Sequence, residues 1–195
     1  MTTTLPDLSP HAAVLIRLVA AVGDDDLSRP TPCADTSVAA LLDHVHGFAV
    51  GLRSAAQKAA RDVAPHASAE SLPEDWRARI PRELQGLVAA WAEPAAWRGS
   101  TRARLAELPA ERMGMVALTE VLVHGWDLAV ATGRPFEVDD AAAQQCLDHA
   151  LWFAAAVPEG RDTIYGPVVP VPDGAPVLDR LLGLTGRDPA WTPPA

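Results

Sequence analysis

The stretch that decides the fold reads Met113-Gly-Met-Val-Ala-Leu-Thr-Glu120-Val-Leu-Val-His124-Gly-Trp-Asp127-Leu-Ala-Val-Ala131. It has no proline, is rich in alanine, leucine and valine, and lacks strict alternation, so it reads as a helix and not a strand. Its apolar stripe includes Met113, Val116, Ala117, Leu128 and Ala131. Glu120 and His124 stand four residues apart on one face, and Asp127 follows three residues on. Ionisable groups thus interrupt a core-facing stripe, and burying them unpaired is costly. A divalent metal is one way to satisfy a carboxylate and an imidazole together. A surface pair, or a core histidine bonded to a carboxylate, is another.

Proline marks the boundaries on either side. The 195 residues include 18 prolines, about 9% against a usual ~5%. The long proline-free intervals are 11–29, 33–64, 110–134 and 136–157, the candidate helices. Ser9-Pro10 opens the first helix, and Gly23 with Asp24–Asp26 ends it. Thr36 or Ser37 caps the second. Leu84, Leu87, Val88 and Trp91 mark a third helix; Pro81 either starts it, the preferred reading, or kinks an earlier turn that includes Trp76. Gly133 stops the fourth, and Asp139 caps a fifth over Ala141–Ala156. The tail 158–195 reads as a loop-rich extension with one short helix over Val177–Leu184, and Ile164–Pro172 as loop or extended chain. The expectation is one all-α domain over 1–195 with a wrapping C-terminal segment.

Composition excludes several classes. A net charge of −9 leaves no basic face for nucleic acid. No run approaches the roughly 20 apolar residues of a membrane span, and no secretory signal is evident. Cys33 and Cys146 form neither a disulfide framework nor a CxxC pair, which fits a cytoplasmic protein. Nucleotide-binding and serine-hydrolase signatures are missing as well.

Histidine carries what chemistry remains. In the second helix Val38, Leu41, Leu42, Val45 and Phe48 form the apolar side, with His44 inside that arc; His46 points roughly 200° away from it. If His44 opposes Glu120 and His124 across a bundle, the set is two histidines and a glutamate. Catalytic zinc uses three such ligands and keeps one position open, and bundles build such sites between facing helices. His11, His66 and His149 read as structural. Cys33 reads as a buried loop residue, a reactive thiol being the lesser alternative. Arg82, Arg98 and Arg134 are candidates for binding a carboxylate, and no general acid or base stands out.

Three stretches together resemble one family. Arg29-Pro30-Thr31-Pro32-Cys33, followed by Val38-Ala-Ala-Leu41-Leu42-Asp43-His44-Val45, resembles the approach to the second helix in DinB-like proteins of the mycothiol-dependent maleylpyruvate isomerase type. Glu120-Val-Leu-Val-His124 resembles the metal-binding E-x-x-x-H helix of that group. Asp179-Arg180-Leu181-Leu182 through Arg187-Asp188-Pro189 is similar to the tail of its actinobacterial branch. The resemblance implies a DinB-like four-helix bundle with a long crossover between helices 2 and 3. It implies a divalent metal (zinc, with nickel or iron as alternatives) held by His44, Glu120 and His124, with Asp127 orienting a ligand.

The activity it implies is a metal-dependent transferase or isomerase. Such an enzyme activates a low-molecular-weight thiol such as mycothiol for S-transfer to, or isomerisation of, a small electrophile. A non-enzymatic metal-binding or partner-binding bundle is the alternative, and a homodimer is compatible with either. One departure is Thr36, where the family usually has tryptophan after Thr-Pro-Cys-x-x. The chain is also expected to be too short for the isomerase's extra C-terminal domain, so maleylpyruvate is not assigned as substrate.

Overall fold

The apolar intervals become helices in the order the prolines dictate. The computed structural model describes residues 5–59, 67–103, 106–158 and 164–194. Three helices come first: α1 (Ser9–Ala21), α2 (Val38–Ala56) and α3 (Trp76–Ala92). A hairpin of β1 (Ser100–Ala103) and β2 (Ala106–Pro109) follows, with Thr101 opposite Leu108. Then come α4 (Ala110–Ala131), α5 (Asp140–Ala156) and α6 (Val177–Leu184). Helix α1 packs on α3 and α4, and α2 packs on the same two, which gives the cyclic order α1–α3–α2–α4 of a four-helix bundle. The long crossover lies between α2 and α3; α5 lies against α4 and carries α6.

Local chemistry accounts for most helix ends. The Ser37 hydroxyl accepts the Ala40 N–H and caps α2, and the Asp139 carboxylate does the same for α5 through Ala141. At α1 the first N–H groups are met differently from the expectation: Asp7, not Ser9, supplies the oxygen, accepting from the Ser9 N–H at 2.8 Å. Gly133 follows α4 at φ +66°, a left-handed stop.

Three expectations are corrected. Pro81 lies inside α3 and does not start it. The apolar stripe runs back past the proline through Ile80 and Trp76, both buried, and their packing holds a first turn that proline alone would disfavour. The hairpin was not expected either; its four-residue strands are too short to show period-2 alternation. Because α4 is buried on nearly every side, it meets the length and hydropathy of a membrane span, contrary to the sequence reading. However, 78% of that window is buried inside the protein, so α4 is the central helix of the bundle.

Gly114 of α4 lets an indole touch the helix backbone. A Cβ there would fall 2.6 Å from Cη2 of Trp97. That ring is buried, donates from Nε1 to the Trp91 carbonyl at 2.7 Å, and packs edge-on to Trp91. Alanine favours a helix over glycine by about 1 kcal/mol, but overpacking a rigid aromatic costs about 1–3 kcal/mol. Gly114→Ala is therefore expected to lower the stability measured by urea denaturation; equal or higher stability would refute the contact argument.

His149 of α5 is buried, with no hydrogen-bond partner at either ring nitrogen among the described residues. Burial, reinforced by the Arg112 charge, pushes its pKa down from 6.5 to about 4. Between those values the unfolded chain holds the extra proton and the folded chain does not, so stability falls as the pH drops through that window. His149→Leu is expected to gain on the wild type progressively as pH falls from 7 to 4.5. A constant difference in denaturation midpoint over that range would contradict the assignment.

Candidate metal centre

Adjacent helices bring the three expected ligands together. His44 projects from α2, and Glu120 and His124 from α4. Glu120 Oε2 lies 3.1 Å from His44 Nε2 and 3.1 Å from His124 Nε2. One donor atom from each residue fits within a sphere of contacts no longer than 4.8 Å. Phe48, one turn beyond His44, stacks on the His124 ring at 6.1 Å and meets the His44 ring edge-on at 5.7 Å. That phenyl walls off one side. The His44 side chain is 41% exposed against 11% for His124, so the cluster opens to solvent on the α2 side.

The electrostatics follow from crowding a carboxylate between two imidazoles. Burial pushes the Glu120 carboxyl up, but hydrogen bonds from His124 and His44 and their charge outweigh it and hold the pKa far below the ordinary value. Burial pushes His124 down, while bonds to Asp127, Cys33 and Glu120 carry it well above 6.5. In the metal-free protein these partners favour the imidazolium form of His124, whose contribution to stability is full below pH 6.5 and lost as pH rises through the raised value. A metal held here would have to displace that proton, so its binding would release protons and tighten with pH.

Asp127 stands behind His124. Its Oδ2 accepts from His124 Nδ1 at 2.9 Å, which leaves Nε2 turned towards Glu120 and His44. Asp127 is fully buried; burial raises its pKa, but Arg187 and His124 bring it down to about 2. The stability it contributes is fully present above 3.8 and is lost as pH falls from there through the lowered value of about 2.

Two residues join the site that spacing did not place there. Cys33, read as a buried loop residue, is only half-buried, and its Sγ lies 3.3 Å from Asp127 Oδ2. The loop that carries it is pinned by Thr31, whose N–H and hydroxyl both donate to the Thr36 carbonyl at 3.0 and 2.9 Å. Arg187 donates through Nε to Asp127 Oδ1 at 3.3 Å and through Nη2 to Oδ2 at 2.9 Å. No motif connects residues sixty apart, so only the tail resemblance hinted at Arg187. Among the described residues Arg82, Arg98 and Arg134 stay outside the site: Arg82 pairs with Glu83, Arg98 is exposed, and Arg134 reaches Asp26 and the Thr132 carbonyl. His11 is buried in α1, and His46 is placed among charges of α3. His66 lies outside the described residues.

A second triplet, Cys33, His124 and Asp127, also brings three donors close. It suits a cation poorly, because Arg187 Nη2 already occupies the space between the thiol, at 3.0 Å, and the carboxylate. Among the described residues no guanidinium stands between the donors of His44, Glu120 and His124. Two imidazole nitrogens and a carboxylate oxygen, open on one side, are a donor set that fits zinc or a related divalent ion.

Comparison with known proteins places the chain among relatives. Residues 8–129 match the family described as mycothiol maleylpyruvate isomerase N-terminal domain. Proteins from two strains of Mycobacterium tuberculosis, each named only as uncharacterized, are 28% identical over 172 residues, covering 87% of this chain and 90% of theirs. The crystal structure of the mycothiol-dependent maleylpyruvate isomerase superposes with a TM-score of 0.57 at 15% identity, over 83% of this chain and 70% of that one. At that identity the likeness establishes the fold.

Proposed function

The chain belongs to the mycothiol maleylpyruvate isomerase N-terminal domain family, and from that premise we propose a metal-dependent enzyme that activates a low-molecular-weight thiol such as mycothiol. The thiol would be transferred to a small electrophile, or added reversibly to it to allow isomerisation. The observation that supports this reading most is the convergence of His44 Nε2 and His124 Nε2 on one oxygen of Glu120. These three residues would hold the ion. A divalent ion so bound lowers the pKa of a thiol or water that reaches it.

The remaining work falls to the chain's own side chains. Asp127 keeps the His124 Nδ1 proton in place and so presents Nε2 as the ligand atom. Phe48 excludes water from one flank of His124, while the exposed edge of His44 leaves an approach for the thiol. The test is calorimetric titration with mycothiol of the zinc-loaded protein and of protein stripped by a chelator. Binding confined to the loaded form, with consumption of a thiol-reactive electrophile, is the expected result. Equal binding by both forms, or no binding and no consumption, would reject the enzyme reading in favour of a non-enzymatic bundle.

A further inference from the structure

The family match ends at residue 129, yet a side chain from well beyond it reaches the back of the candidate site. We propose that Arg187 is a positioning residue for the metal centre: it fixes Asp127 so that Asp127 can orient His124. This rests on the metal-binding reading of His44, Glu120 and His124 above.

The local structure explains how one arginine arrives there. Helix α6 ends in a left-handed turn, with Gly186 at φ +81°. The Gly186 N–H donates to the Gly183 carbonyl at 3.2 Å, and the Arg187 N–H to the Leu182 carbonyl at 2.8 Å, the paired bonds of a Schellman motif. That turn points Arg187 back into the bundle, where it is 7% exposed. Its guanidinium is then held at every edge. Nη1 donates to the Thr185 carbonyl at 2.6 Å, Nε and Nη2 clasp both oxygens of Asp127, and Nη2 also touches Cys33 Sγ. The oxygen gripped by Nη2 is the one that accepts from His124 Nδ1.

The fork geometry matters. Two parallel bonds fix the plane of the Asp127 carboxylate, and with it the line along which Nδ1 donates. A lysine would supply the charge without the plane. Stability alone is a weak reason for the pair, because removing two charges from water usually consumes what their attraction returns. Holding a ligand-orienting carboxylate still is a use that a buried ion pair serves well.

The experiment is competition of purified protein with a chromogenic chelator for Zn2+ at 25 °C. Arg187→Gln is expected to weaken Zn2+ binding about 10–100-fold, and Arg187→Lys, which keeps the charge, by a smaller factor of roughly 3–10. On an Asp127→Asn background the further loss from Arg187→Gln should be under about 3-fold, since the arginine acts through that carboxylate. Leu84→Ala, in the core of α3, should lower the melting temperature without moving Zn2+ affinity. Affinity of Arg187→Gln within 2-fold of wild type, full additivity with Asp127→Asn, or an equal loss in Leu84→Ala would overturn the role. If Arg187→Gln does not fold, Arg187→Lys with wild-type affinity would overturn it as well. Failure of the wild type to bind Zn2+ would overturn the metal reading and this inference together, whereas wild-type binding with an unaffected Arg187→Gln overturns this inference alone.

Discussion

Asp127→Ala is expected to lose about 3–5 kcal/mol of stability, the cost of leaving one partner of a buried ion pair without the other. Asp127 has no exposed surface and Arg187 almost none, so water cannot replace the missing carboxylate. Burial disfavours the Arg187 charge, yet the adjacent Asp127 carboxylate holds the guanidinium protonated more firmly than usual. Without that carboxylate, the Thr185 carbonyl and the Cys33 sulfur are the hydrogen-bond partners left to it among the described residues. For a chain of this size the loss corresponds to a melting temperature lower by roughly 6–20 °C. Removing both charges, as Asp127→Ala with Arg187→Leu, should cost less than removing Asp127 alone. Thermal denaturation of the three variants checks this, and a loss below about 1 kcal/mol for Asp127→Ala would show that the pair is not the buried anchor described.

His124→Ala has the largest expected effect on binding. It removes one of three proposed ligands and should weaken Zn2+ affinity by at least about a thousandfold, beyond the 10–100-fold typical of losing an outer partner. The fold should tolerate the change better than it tolerates Asp127→Ala. Asp127 keeps its paired bonds to Arg187, and what disappears is an imidazolium caught between two carboxylates. The expected outcome is thus a split: Zn2+ binding nearly abolished, melting temperature moved only modestly in the metal-free state. Competition with a chelator and thermal denaturation in the presence of that chelator read the two halves separately. Retained affinity would remove His124 from the ligand set.

Those two residues also mark the limit of what the sequence discloses. The positions of α2, α4, α5 and α6 follow from where proline is absent and where Ser37, Asp139 and Gly133 stand, because helix chemistry is local. The start of α3 was hidden, since Pro81 gives a strong local signal while the burial of Trp76 against the bundle overrides it from a distance. Within the site, Glu120, His124 and Asp127 share one helix face, so spacing alone puts them together. His44 needed the bundle, or a family resemblance, to become their neighbour. Arg187 is hinted at only by the tail resemblance: its place beside Asp127 depends on a glycine turn after α6 and on α6 packing against α5, which periodicity does not reveal. Cys33 was misread for the same reason, because a loop residue before a helix has no face to predict.

The central claim, that His44, Glu120 and His124 form a metal centre, is tested most directly by the metal content of the wild-type chain. Elemental analysis after incubation with excess Zn2+ and exhaustive dialysis should find one ion per chain. A chain that retains no ion under those conditions would contradict the account.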